Sequence, residues 1–289
     1  MASSSVLSIP ARIRGRLRVA PALTQTLQAG RALLHFGPWR HVARAIVRRN
    51  RPPLQGNAAQ TLASLQMDSS QLVQTLRVDG MAMANHQPPD VLSRVRVVTD
   101  ELPPGEYGDF HEHSDIRALV QCANVLDVVR GYFGAEPELL ECTLVVHRAE
   151  DPASRSIHPQ RLFHFDYAGW QSLNLFVYLT DVKEDSGAHQ VVVGTHRRRS
   201  IRDAIRPWVP DDEILSRYAS RIRTIAGPAG TMFFEDTEAL HRRLVMKRRR
   251  VMLNILYASH RSWFSEGRLT QKYSDYLLSR GASDLRKNA

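Results

Sequence analysis

The sequence predicts an α+β, mainly β chain: a double-stranded β-helix, or jelly roll, with helices packed outside it. Three observations carry this. Between residues 173 and 257, short apolar runs (173–179, 231–234, 250–257) alternate with Gly-bearing polar turns at Asp185-Ser186-Gly187 and Gly227-Pro228-Ala229-Gly230, the spacing of a β-barrel or sandwich. The N-terminal half instead carries apolar residues at helical spacing, as in Ile116, Leu119, Val120, Ala123, Leu126 and Val129. And the barrel-like run is preceded by a polar pair, His164-x-Asp166, in Arg161-Leu162-Phe163-His164-Phe165-Asp166-Tyr167.

Taken in order, the 289-residue chain divides into an Arg-rich extension, residues 1–67, and a body, residues 68–289. The net charge of +10 belongs to the extension: residues 1–67 hold ten Arg, no Lys and no acid, leaving 29 basic and 29 acidic residues in the remainder. Arg40, Arg44 and Arg48 recur every four residues, and Trp39, Val42, Ala43, Ile46 and Val47 fall largely on the other side, with Pro38 suited to the first turn. Three readings stay open: a helix lying on an anionic membrane surface, a structural helix whose Arg residues decorate it, and a mitochondrial transit peptide. The expected location is cytoplasmic, with peripheral membrane contact through residues 1–51. No apolar run approaches the ~18 residues of a membrane span, and no aromatic-interleaved basic module points to nucleic acid. Cys122 and Cys142 read as buried thiols in a reducing compartment.

Asp68-Ser69-Ser70 caps a helix over 71–76, residues 77–83 turn into a short strand, and Pro88-Pro89-Asp90 caps another helix. Residues 106–115 read as a polar loop over the site mouth, 118–133 as one helix, 139–147 as a strand, 150–160 as a loop, 200–221 as a helical insertion, and 262–285 as a polar helical tail.

On a strand, residues two apart share a face. His164 and Asp166 then project together while Phe163 and Phe165 pack on the other side. One imidazole and one carboxylate supply two-thirds of the 2-His-1-carboxylate facial site of non-haem iron, and His241, 77 residues on, is the candidate third ligand. His113-Ser114-Asp115 has the same spacing, but it precedes an apolar helical run and reads as a helix start.

The succession His164-Phe-Asp166, Asp185-Ser-Gly187-Ala, Val193-Gly194-Thr195-His196, Gly230-Thr-Met-Phe, Leu240-His241 and Arg250-Val-Met-Leu resembles the phytanoyl-CoA dioxygenase family of Fe(II)/2-oxoglutarate oxygenases across residues 72–260. It departs at Val193, where the family has Pro, and in the short interval of 9 residues from His241 to Arg250. The resemblance implies a cupin-like core, Fe(II) on His164, Asp166 and His241, 2-oxoglutarate as co-substrate, ascorbate as an accessory reductant, and hydroxylation of a substrate. A carboxylate ligand at 166 argues against halogenation. The far carboxylate of 2-oxoglutarate needs a fixed guanidinium. Arg250 is the first candidate and Arg248 the second, with Asn174 and Thr231 as further contacts. His158, Arg161, Tyr167 and Trp170 flank the ligands as substrate contacts. His196 reads as a loop-fixing residue. The expected substrate is an anionic small molecule or glycolipid, with the 3-deoxy-manno-octulosonic acid sugar of lipid A as one compatible case. A cupin-type metal protein without oxygenase activity is the alternative.

Overall fold

The computed structural model describes residues 39–52, 67–84 and 102–260, except 152–158, 167, 198–199, 205 and 207, together with residues 30, 95–96, 99–100 and 271–272. The expected cap at Pro88-Pro89-Asp90, the side chains of His158 and Tyr167, and the 262–285 tail apart from Gln271 and Lys272 lie outside the described residues.

Among the described elements, helix α1 (Trp39–Asn50) is followed by α2 (Ser69–Asp79). Asp68 caps α2 by accepting from the Gln71 N–H, and Gly80 ends it in the left-handed conformation at φ 79°. Strand β1 (Met81–Ala84) follows directly. Residues 106–115 are not a polar loop. Gly105–Gly108 form strand β2 against β3 (Glu138–His147), and a 3₁₀ turn, Phe110–Glu112, comes next. Tyr107 and Phe110 are buried there, and burying those two rings outweighs the polarity of their neighbours. The single helix expected over 118–133 is two, α3 (Ser114–Val120) and α4 (Ala123–Phe133), broken at Gln121-Cys122. His113-Ser114-Asp115 is the start of α3, as its apolar sequel implied. Residues 201–218 hold the helices α5 (Ile201–Ala204) and α6 (Asp211–Tyr218).

Seven strands form one sheet in the order β1-β7-β4-β9-β3-β2-β10, and three form a second in the order β6-β5-β8. Their ranges are β4 (Ser172–Tyr178), β5 (His189–Val192), β6 (Ile222–Ile225), β7 (Met232–Glu235), β8 (His241–Arg243), β9 (Arg250–Ala258) and β10 (Gln271–Lys272). Within the tail read as helical, Gln271 and Lys272 instead pair in parallel with Tyr107 and Gly108.

The central strands are buried on both faces, and the pleat sorts their side chains. Leu173, Leu175 and Val177 of β4, Met232 and Phe234 of β7, and Val251, Leu253 and Ile255 of β9 join Val125, Val128 and Val129 of α4 in the main core. The opposite parity of the same strands (Phe176, Phe233, Met252) faces the small sheet. The residues between the sheets on this inner face are the ones that build the site below.

Helix α1 sits with its basic stripe inward. Arg44 Nε donates to the Trp170 carbonyl at 2.8 Å and Arg48 Nε to that of Phe133 at 2.7 Å, while Arg40 and Arg51 pair with Glu238 and Glu138. Trp39, Val42 and Ile46 are left exposed. Arg40 and Arg44 are therefore committed to the body, while Arg48 bonds it from an exposed position. No described helix is long and apolar enough to cross a membrane.

Leu253 is fully buried at the centre of the large sheet. Leu253→Ala is expected to cost about 2–5 kcal/mol, from lost transfer energy and the cavity left behind, read as a lowered midpoint in urea denaturation.

Candidate metal centre

His164, Asp166 and His241 place one ligand atom each within 4.8 Å of one another. The segment carrying the first two is not a regular strand but a pair of bridges, Phe163 to Val209 and His164 to His241. Phe163 and Phe165 bury themselves with Val192, Val209, Ile214 and Leu240, so the alternation expected of a strand still holds. Two reciprocal backbone bonds, His164 N–H to His241 O and His241 N–H to His164 O, both 3.0 Å, set the two imidazoles side by side with ring centroids 4.4 Å apart. A third bond, Asp166 N–H to Thr237 O at 2.9 Å, fixes the carboxylate-bearing residue to the turn before β8.

Each imidazole is oriented the same way. Nδ1–H of His164 donates to the Leu162 carbonyl at 2.8 Å, and Nδ1–H of His241 to that of Ala239 at 3.0 Å. Fixing the proton on Nδ1 leaves Nε2 as the lone-pair donor, the arrangement a metal-ligating His needs. His241 Nε2 lies 3.5 Å from Asp166 Oδ2. The donor set, two oriented imidazoles and one carboxylate 43 % exposed at the mouth, fits a divalent iron with positions left open on the solvent side once His241 gives up its proton.

Behind the triad lies a cavity of about 60 Å³ between the sheets, bounded by His147, Phe176, His189, Arg250, Met252 and Asn254 among others. Arg250 is its distinctive feature. It is 2 % exposed, its guanidinium donates to the Gly187 carbonyl and lies 3.4 Å from His147 Nδ1, and its buried Nε has no hydrogen-bond partner. Among the described residues no carboxylate pairs with it. Burial pushes its pKa down to about 10, with Arg243 adding to the effect and Tyr178 opposing it. A buried cation without an anion is costly unless a ligand supplies one. Gly187 makes the approach possible. Its φ is +78°, and a Cβ there would stand 2.3 Å from Met246 Cγ and 3.6 Å from a guanidinium nitrogen of Arg250.

The other sequence candidates fall into two groups. Arg248 is exposed, so of these two candidates only Arg250 lines the cavity. Asn174 stands behind the lining: it donates to Asn254 Oδ1 at 2.7 Å and accepts from Thr237 Oγ1 at 3.1 Å, and Asn254 is the residue that reaches the cavity. Thr231 does not line the cavity, because its hydroxyl closes the turn by donating to the Pro228 carbonyl at 2.7 Å. His196 packs against Gly80 and lies outside the triad. Arg161 pairs with Glu150 at 3.3 Å, and the Trp170 ring stacks on His260 with centroids 6.3 Å apart; neither borders the cavity.

Five lining or supporting residues were not singled out from the sequence. Asn254 and Met252 share strand parity with Arg250, a signal present in the text of β9. His147 ends β3 and pairs in register with Arg250. His189 and Glu235 carry no motif. Their Nε2 and Oε2 lie 2.7 Å apart though poorly aligned for a hydrogen bond, Glu235 is fully buried, and the His189 ring stacks on His241 at 5.4 Å and 13°.

The chain matches no family model and no curated protein sequence. Solved structures do match. EctD from S. alaskensis with bound Fe covers 77% of this chain and 94% of its own length at 17% identity and a TM-score of 0.51. SnoK, a non-heme alpha ketoglutarate dependent carbocyclase from nogalamycin biosynthesis, covers 76% of this chain and 93% of its own at 15% identity and a TM-score of 0.50. The fold is a cupin-like jelly roll with flanking helices. At such identity the likeness speaks for the fold alone.

The two imidazoles differ in proton affinity. Burial, with the neighbouring His241, pushes His164 down to about 4. Burial also disfavours the His241 imidazolium, but the hydrogen bond and charge of Asp166 outweigh it and push His241 up to about 9. In the metal-free chain this raised group stabilises the fold below its unfolded value of ~6.5, and the contribution is lost as pH rises through about 9. A metal must displace that proton, so apparent Co(II) affinity is expected to rise with pH up to about 9 and level off there, measured by titration at a series of pH values.

Proposed function

We propose that this protein is a non-haem Fe(II)/2-oxoglutarate-dependent dioxygenase that hydroxylates an anionic small molecule or lipid-linked substrate. The observation that carries the reading is Arg250, a fully buried guanidinium at the far end of the cavity from the facial triad. Fe(II) on His164, Asp166 and His241 would supply oxygen activation coupled to oxidation of the 2-oxo acid. The chain's own residues divide the remaining work. Nδ1–H of each His is held by a backbone carbonyl so that Nε2 faces the metal. Arg250 offers its guanidinium to the distal carboxylate, a charge-assisted contact that a fork geometry suits. Asn254, held by Asn174, offers a neutral amide along the way. Phe176 and Met252 give the cavity an apolar wall that limits water.

A metal-binding jelly-roll protein without 2-oxo acid chemistry has no use for a buried, carboxylate-free Arg, which is why the cupin-type alternative is set aside. Support for an anionic substrate comes from the mouth. Arg242 and Arg243 border the cavity, paired to Asp211 at 2.6 Å and Glu150 at 2.5 Å, and Arg161 shares Glu150. These guanidiniums are held in place by carboxylates that an incoming anion of matching geometry can replace. The substrates to try first are sugar acids of the 3-deoxy-manno-octulosonic type, free and on lipid A, with fatty-acyl acids as the comparison. The division into a 1–67 extension and a 68–289 catalytic domain is part of the same proposal, as is a cytoplasmic location.

The test is discrimination between 2-oxo acids under anaerobic conditions with Fe(II) loaded. The unmodified chain is expected to bind 2-oxoglutarate well above 2-oxobutyrate, which lacks the distal carboxylate. Arg250→Ala is expected to weaken 2-oxoglutarate by about 10- to 100-fold, the worth of a charge-assisted hydrogen bond, and to leave 2-oxobutyrate nearly unchanged. Equal binding of both acids by the unmodified chain would overturn the assignment of Arg250.

A further inference from the structure

The Arg-rich helix α1 reaches both halves of the metal site. Its contact points lie on the two segments that carry the ligands. Trp170, four residues after Asp166, gives its carbonyl to Arg44 Nε at 2.8 Å and to Arg40 Nε at 3.4 Å. Glu238, three residues before His241, pairs with Arg40 and lies 3.9 Å from Arg44. Glu238 is 1 % exposed and Arg40 8 %, so this pair is interior and not a solvated surface contact.

The position of Glu238 is what gives the contact its reach. It sits in the turn between β7 and β8, flanked by the two carbonyls that hold the ligands. Thr237 O, just before it, accepts from the Asp166 backbone N–H at 2.9 Å. Ala239 O, just after it, accepts from His241 Nδ1 at 3.0 Å. The turn also buries a second carboxylate, Asp236, which accepts from the Tyr132 hydroxyl at 2.6 Å and from the Glu238 backbone N–H at 3.0 Å. Two neighbouring buried carboxylates repel one another, and a buried charge that loses its partner forces the local backbone to rearrange. Without the α1 guanidiniums, the turn that must rearrange is the one whose carbonyls aim Asp166 and His241.

We infer that Arg40, with Arg44 in support, is a positioning residue of the metal centre: the α1 helix clamps Glu238 and Trp170 and thereby sets the spacing of Asp166 and His241. The inference rests on the metal site proposed above and extends it to a part of the chain that carries no ligand. Support of ligands by groups one step removed is worth about 10- to 100-fold in metal affinity.

The experiment is Co(II) titration of the full chain, followed by visible absorbance, alongside thermal unfolding of each metal-free variant. Arg40→Ala is expected to weaken Co(II) binding by about 10-fold or more. The double variant Arg40→Ala with Glu238→Gln, which removes the stranded charge, is expected to regain part of that loss. Arg48→Ala, which releases the same helix at Phe133 and away from the turn, is expected to lower the unfolding temperature without changing Co(II) affinity. Should Arg40→Ala not fold, Arg44→Ala takes its place and is expected to give a smaller weakening. Unchanged Co(II) affinity in the folded Arg40 or Arg44 variant overturns the clamp, as does equal weakening in Arg48→Ala. Failure of the unmodified chain to bind Co(II) removes the metal centre itself, and the clamp with it.

Discussion

The site depends on one short piece of backbone pairing. His164 and His241 are 77 positions apart in sequence, and two reciprocal 3.0 Å hydrogen bonds make them neighbours. That pairing is the outer edge of the small sheet, since β8 pairs with β5 on its other side and β5 with β6. It fixes the separation of the two imidazoles, and the Thr237–Asp166 bond one turn away adds the carboxylate. Sequence-distant residues become one ligand set because backbone groups in a buried strand must be paired, and here they are paired with each other.

The second constraint is electrostatic. The inner face of the large sheet carries a cation, Arg250, deep between the sheets, whereas every other strongly buried Arg in the described residues has a protein carboxylate: Arg40 has Glu238 and Arg243 has Glu150. On the proposed reading, the contrast separates structural ion pairs from a cation kept for a ligand. Glu235, at the end of β7 in the large sheet, lies against His189 and His241 of the small sheet, so a carboxylate backs the His241 end of the cavity and a guanidinium lines it at Arg250. That polarity suits a divalent cation at one end and a carboxylate at the other.

Much of this was legible in the sequence because it depends on period and order. The two-residue spacing of His164 and Asp166, the apolar runs of β4, β7 and β9, the Asp68 cap and the Gly-led turns are local signals, and the structure keeps them. What was not legible depends on which face of an element turns inward. The 40, 44, 48 stripe of α1 looked like a solvent or lipid face, because charge usually faces out; Arg40 and Arg44 turn in because Glu238 and Trp170 O await them, and the exposed Arg48 still reaches Phe133 O. Thr231 looked like a cavity contact by its place at a strand start, but its hydroxyl is used by its own turn. Residues 106–115 looked polar, yet two buried rings make that stretch an edge strand and turn. His189 and Glu235 are isolated letters in strands of different sheets, and only the packing of β7 against β5 and β8 shows that they meet behind His241.

The central claim is that one cavity holds a divalent metal at the triad and a dicarboxylate between that metal and Arg250. Its most direct measurement is the anaerobic visible spectrum of the protein with Fe(II) and 2-oxoglutarate added together. A 2-oxo acid chelating ferrous iron gives a weak metal-to-ligand charge-transfer band that neither component gives alone. The account requires that band in the unmodified chain and its loss in His164→Ala. Fe(II) binding without the band would leave a metal-binding jelly roll and contradict the oxygenase reading.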